Sequence, residues 1–180
     1  MVKKIKSEAF VAFAAIVISL CALIVSFYEV RIMRTQQKAS LYPHLQISQQ
    51  YSPEGFAIEA KNKGIGPAKV ESLEVKVNGK KMPSLTAVFD YVLGEGHQIN
   101  YRNYTVNTIN NLVLEPAYDK PLVKLNWNDD SRRFIESLKD LEINVVYSSL
   151  LGDCWLVGFD RIPESCNCPK EGESTSTFKF

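Results

Sequence analysis

Two histidines are all the chain holds, His44 and His97, and neither sits in a recognisable ligand or base motif. The H-E-x-x-H pair of a zinc hydrolase is missing, as are the G-x-S-x-G nucleophile turn and the Walker phosphate loop. Gly64-Ile65-Gly66 runs directly into Pro67, without the third glycine and helix start that a phosphate cradle requires. A basic surplus is missing too: 21 Lys and Arg against 20 Asp and Glu leave a formal net charge of +1. Nucleic-acid binding needs a concentrated basic face, so that class of partner is excluded. Internal repeats are lacking. Asp129-Asp130 is a carboxylate pair, but adjacent aspartates ahead of a helix read as caps rather than as an acid and a base. With no catalytic constellation and no cofactor motif, the sequence reads as that of a non-enzymatic protein.

Charge is absent altogether from Phe10 to Tyr28, a run of 19 residues. At about 1.5 Å per residue a helix of that length reaches roughly 28 Å, close to the ~30 Å hydrocarbon core of a bilayer. A cleaved signal peptide fits less well. Its apolar region is shorter and ends in a small-residue cleavage site, whereas this run continues into Phe27 and Tyr28. A buried core helix would not need basic residues on both flanks. The run therefore reads as a single-pass transmembrane helix over about 10–28, with the lipid bilayer as its first partner. Lys3, Lys4 and Lys6 precede it, and Arg31, Arg34 and Lys38 follow it, so the positive-inside rule gives little preference. The compact N-terminal cluster favours that end inside, which places the folded domain on the extracytoplasmic side of the cell membrane.

Glu29 to Leu41 contains no glycine or proline and is rich in helix formers. Pro43 pushes Tyr42 toward an extended conformation and marks a stop. One helix over about Ser7–Leu41 is predicted, the last turns forming a stalk. Tyr28, Ile32 and Ala39 make at most a short helical stripe. Residues 1–41 carry 6 basic and 2 acidic side chains, while 42–180 carries 15 Lys and Arg against 18 Asp and Glu. The near-neutral whole thus divides into a basic anchor and a mildly acidic domain of 139 residues.

That domain alternates apolar and polar residues in short stretches. His44–Gln50 points Leu45 and Ile47 inward, and Phe56–Ala60 does the same with Phe56, Ile58 and Ala60. Ser52-Pro53-Glu54-Gly55 between them is turn chemistry. Val70–Val77 has Leu73, Val75 and Val77 in phase, and Asn78-Gly79 behind it is a strong hairpin signal. Pro83–Leu93 has helical spacing, with Leu85, Val88, Phe89 and Val92 on one side. Strands are predicted at Gln98–Val106, Ile109–Leu114, Pro121–Asn126, Leu141–Ser148 and Cys154–Phe159. A short helix at Arg132–Leu138 follows the Asp129-Asp130-Ser131 cap. Residues 169–180 are polar and read as a disordered tail. The expectation is a transmembrane helix followed by a mainly-β domain over 42–168. That domain is an antiparallel immunoglobulin-like β-sandwich with one or two short helices.

Asn62-Lys63-Gly64-Ile65-Gly66-Pro67-Ala68 lies between two alternating strands, and both glycines are free to take positive φ. This stretch resembles the N-x-G-x-x-x-A turn of bacterial immunoglobulin-like adhesion and accessory modules. The run Phe27–Leu45 is similar to that of small single-pass bacterial membrane proteins with a sandwich-like domain. The resemblance implies a fold and an address, and it carries no functional residue over to Asn62, Gly64, Gly66 or Pro67.

Cys21 lies inside the apolar run and reads as a small apolar residue. Cys154, Cys166 and Cys168 fall within 15 residues of each other. Cys154 can pair with Cys166 or with Cys168 in an oxidising compartment. All three remain thiols in a reducing one, and a zinc site would require unusual spacing. Trp127 and Trp155 are expected at the core or rim. Tyr91, Tyr101, Tyr104 and Tyr118 either pack between sheets or line a recognition surface. The reading is a membrane-anchored interaction module with a protein partner. One alternative is self-association into a structural or effector assembly, helped by the small residues Ala12, Ala14, Ala15, Ser19 and Ala22. Another is thiol chemistry at the clustered cysteines.

Overall fold

A computed structural model describes residues 7–100, 102, 104–170 and 178–180, and the chain divides into two compact units at Ser40. The first unit is one helix, α1 (Ser7–Ser40), within one residue of the end that Pro43 predicts. It is long and apolar enough to span a membrane. Its large side chains stand free on all sides, Phe10 at 71% and Ile18 at 68% exposure, as a helix apolar all round requires of its surroundings. Ser19 Oγ donates back to the Ala15 carbonyl at 2.8 Å, so its hydroxyl has a partner that does not depend on water.

The second unit runs β1 (Leu45–Ser52), β2 (Gly55–Asn62), β3 (Ala68–Val77), β4 (Lys80–Lys81), α2 (Leu85–Leu93) and β5 (Tyr104–Val106). It continues with β6 (Val113–Leu114), β7 (Asp119–Asn126), α3 (Asp129–Glu136), a 3-10 turn at Leu138–Asp140, β8 (Leu141–Ser148), β9 (Cys154–Gly158) and β10 (Glu164–Cys166). The strands make two antiparallel sheets. One has the order β1-β2-β7-β5; the other has the order β10-β9-β8-β3-β4, with β6 pairing the start of β3. The predicted phases hold: Leu45, Ile47, Phe56, Ile58, Ala60, Leu73, Val75 and Val77 are all buried. Side chains of both sheets meet in one hydrophobic core, each large one contributing about 1.5–3 kcal/mol by leaving water. Polar links cross between the sheets. The backbone N–H of Leu45 donates to the hydroxyl of the fully buried Tyr147, and Ile47 bridges Phe159 in parallel.

Several elements depart from the sequence reading. The long strands predicted at Gln98–Val106 and Ile109–Leu114 shrink to Tyr104–Val106 and Val113–Leu114. The intervening backbone is diverted by polar side chains: Asn100 Oδ1 accepts from Arg102 N, Thr108 Oγ1 from Asn110 N, and Asn107 Nδ2 donates to Pro121 O. Such local bonds compete with a sheet ladder. The cap of α3 is Asn128 rather than the aspartates. Its side chain accepts from Ser131 N while Ser131 Oγ accepts from Asn128 N, which starts the helix one turn early. Asp129 and Asp130 occupy the first turn, where carboxylates oppose the helix dipole favourably. β10 has no alternating pattern long enough to announce it. Of the polar stretch 169–180, residues 171–177 lie outside the described residues, and its end is packed rather than free. Phe178 is 3% exposed and belongs to the core.

Candidate interaction surface

Register places one set of loops at the end of the domain where the chain enters. Leu45 pairs Asn62, Lys69 pairs both Ser148 and Val113, and Ser148 pairs Cys154. The 62–68 turn, the β6 segment and the β8–β9 turn therefore share an end with Leu41–His44. The cysteine region and the glycine turn, which the sequence offers as separate features, are brought together there.

Asn62 organises this end. It is 1% exposed, and its Oδ1 accepts from the N–H groups of Gly64 (3.0 Å) and His44 (3.2 Å). Its Nδ2 donates to Gly66 O at 2.9 Å and lies 3.2 Å from the carbonyls of Leu114 and Glu115. Its own backbone N–H and C=O bond Tyr118 and Ala117. One buried amide thus ties together the entry strand, its own turn and the β6–β7 connection. The glycines do not serve as the sequence suggests: neither Gly64 nor Gly66 has positive φ. They are needed for close approach instead. A Cβ on Gly64 would collide with backbone of Tyr42, Pro43 and His44, and one on Gly66 with Leu41. Pro67, half-buried, leads the turn into β3.

Cys154 is joined to Cys168, with Cα atoms 5.3 Å apart, and Cys168 Sγ lies 3.1 Å from Gly152 O in the β8–β9 turn. Cys166 is a free thiol directly opposite Cys154 across the β9–β10 ladder. Burial pushes that thiol above its ordinary range and keeps it protonated, which makes it a poor nucleophile. Behind the disulfide, Trp155 stacks on Tyr147 at 5.7 Å and meets Tyr42 edge-on at 5.3 Å. Burial raises the Tyr147 hydroxyl far above the ordinary tyrosine range. Burial also pushes Glu71 upward, but the Ser148 hydroxyl (2.7 Å) and Lys69 outweigh it and hold the carboxyl below its usual value.

On this frame stand aliphatic side chains that face outward. Ile65 is 66% exposed, Val113 57% and Leu150 61%, with Leu112 and Leu151 close behind. The sequence reading missed them. Leu150-Leu151 ahead of Gly152 was the available signal, because paired leucines in a turn break the rule that turns are polar. The far end, with the Ser52–Gly55, Asn78-Gly79 and 126–140 connections, presents Glu54, Lys80, Lys81, Asp129 and Arg132 instead.

The other candidates are scattered. His97 Nε2 lies 3.1 Å from Asp90 Oδ1 while its Nδ1 accepts from Ile99 N, an arrangement that closes the chain behind α2. His44 bonds through its backbone to Asn62 and Lys63. Trp127 Nε1 donates to Ser52 O and pins the first hairpin. Tyr91 on α2, Tyr104 on β5 and Tyr118 before β7 share no single surface, and Tyr101 lies outside the described residues. Among the described residues no three His, Cys, Asp or Glu side chains converge on a metal-sized site. No protein-family model and no curated protein matches the chain.

Proposed function

We propose that the chain is a single-pass membrane protein whose immunoglobulin-like domain binds a protein partner through the loops at its chain-entry end. The strand orders support the fold reading. Taken as A, B, C, C′, D, E, F and G, the strands β1, β2, β3, β4, β5, β7, β8 and β9 give A-B-E-D on one sheet and G-F-C-C′ on the other, the immunoglobulin arrangement. The Cys154–Cys168 disulfide supports an oxidising, extracytoplasmic location.

The observation that carries the function is the group of exposed aliphatic tips, Ile65, Leu112, Val113, Leu150 and Leu151, which the strand register gathers at one end of the domain. Exposed apolar residues that stand together mark an interaction site, whereas single ones mean nothing. A photocrosslinking residue at Leu150 should capture a stoichiometric protein in native membranes, and one at Lys80 should not. Leu150→Glu with Leu151→Glu should remove the adduct of a crosslinker placed at Ile65 while leaving the melting temperature unchanged. Equal capture at Leu150 and Lys80, or none at either, would overturn the reading.

A further inference from the structure

Phe178-Lys179-Phe180 is seated as a strand-like insert. Lys179 bridges Ser84 in parallel, Leu85 N donates to Lys179 O at 2.9 Å, and Lys179 N donates to Pro83 O at 2.9 Å. Asn110 Nδ2 donates to Phe178 O at 2.8 Å. Phe178 and Phe180 meet edge-on at 5.1 Å, in a groove whose walls include Val75, Val88, Phe134, Leu141 and Ile143 and hold no polar side chain. This is recognition by backbone pairing plus aromatic pockets, the mode by which sheets and their edges take up extended segments. The groove selects an aromatic-x-aromatic segment, because the alternation sends both rings inward and Lys179 outward to solvent.

The connection that delivers the insert is Pro169-Lys170-Glu171-Gly172-Glu173-Ser174-Thr175-Ser176-Thr177. It contains no large apolar side chain, so nothing in its composition commits the insert to its own domain. Ten residue steps separate Cys168, held by its disulfide, from Phe178, a reach of up to about 35 Å. A second copy of the chain carries the same insert and the same groove, so exchange replaces every contact with an identical one.

We infer that Phe178–Phe180 is an exchangeable strand, and that one copy of this protein inserts it into the groove of a second copy. The pairing is reciprocal and uses neither the helix α1 nor the aliphatic loop tips. Confinement to a membrane would raise the effective concentration of the second groove.

The test uses two full-length chains, differently tagged and co-expressed, each with Cys21→Ala and Cys166→Ser. One carries Ser84→Cys and the other Lys179→Cys. After mild oxidation a disulfide between the two tags is expected. It should fall at least tenfold when Phe178→Ala and Phe180→Ala are added to the Lys179→Cys chain. A single chain with both Ser84→Cys and Lys179→Cys reports the closed, unexchanged form. If that chain closes internally while the mixed pair gives no heterodimer, the insert stays in its own domain and the inference is overturned. If the double variant forms no disulfide between positions 84 and 179, either within one chain or between two, the seating of Lys179 on Ser84 is wrong and the inference falls with it. A heterodimer that persists without both phenylalanines would also overturn it, because the contact would then not depend on the groove.

Discussion

The two ends of the β domain close their loops with different shares of local and long-range contact. At the far end local turn and cap chemistry does much of the closing, with Trp127 pinning the first hairpin from across the sheet. Asn78 and Gly79 take the positive φ values of a tight hairpin, Asn128 and Ser131 cap α3 reciprocally, and Lys124 reaches Glu54 at the surface. At the entry end long-range ties are added to local ones, such as the bonds from Leu151 N and Asp153 N to Ser149 Oγ within the β8–β9 turn. Asn62 bonds chain segments 52 residues apart, the glycines make room for Tyr42, Pro43 and Leu41, and a disulfide holds the β8–β9 turn. The turn that carries Leu150 and Leu151 is closed from within by Ser149 and Asp153 and held from outside by the disulfide, so its exposed leucines stand on a doubly fixed frame.

The contrast predicts an order of sensitivities. Asn62→Ala should have the largest effect. It strands several buried backbone groups at ~1–3 kcal/mol each, so a loss of about 3 kcal/mol or more is expected by denaturant titration. An Asn62 variant as stable as the parent would break the comparison. Next comes the disulfide. Cys168→Ser opens a crosslink spanning 14 residues, for a loss of about 3 kcal/mol in the chain-entropy model, and reduction of the parent should reproduce it. At the far end Asn128→Ala should cost about 1 kcal/mol, the usual value of a cap. Lys124→Ala should shift stability by less than ~0.5 kcal/mol, because its partner Glu54 is exposed.

Acid sharpens the same contrast more gently. The Glu71 carboxyl has a folded pKa below the ordinary 4.5. A depressed pKa means that the folded state binds its proton less readily than the unfolded one. Its contribution is therefore present above about pH 4.5 and is lost as pH falls through the folded value. Glu71→Gln should lower stability at pH 7 and flatten the decline below pH 4.5. Melting curves of variant and parent that stay parallel from pH 7 to pH 3 would show that Glu71 does not contribute.

Much of the fold was legible because its signals are short-range. The apolar run and Pro43 bounded α1 to within a residue at its end. Period-two alternation found β1, β2 and β3 with the correct faces inward, and Asn78-Gly79 marked its turn. The strands around 98–114 were overestimated because alternation there is real but asparagine side chains claim the backbone. The candidate surface was legible only in pieces. Asn62, Gly64, Gly66, Cys154 and Cys168 were all singled out, yet nothing in their spacing said that they share one end. Leu150 and Leu151 stand out only through their exposure in the folded domain.

The sequence by itself determined a charge-free helix, a set of strand phases and a choice of two partners for Cys154. Each depends on residues near one another in the chain. Tertiary structure decided the rest. It paired Cys154 with Cys168 rather than with the directly opposed Cys166, turned two presumed turn glycines into points of close contact, and buried Phe178 at the end of a polar stretch. The reason is common to all three. Each depends on which segment lies across from which, and that is fixed only when both sheets close on one core.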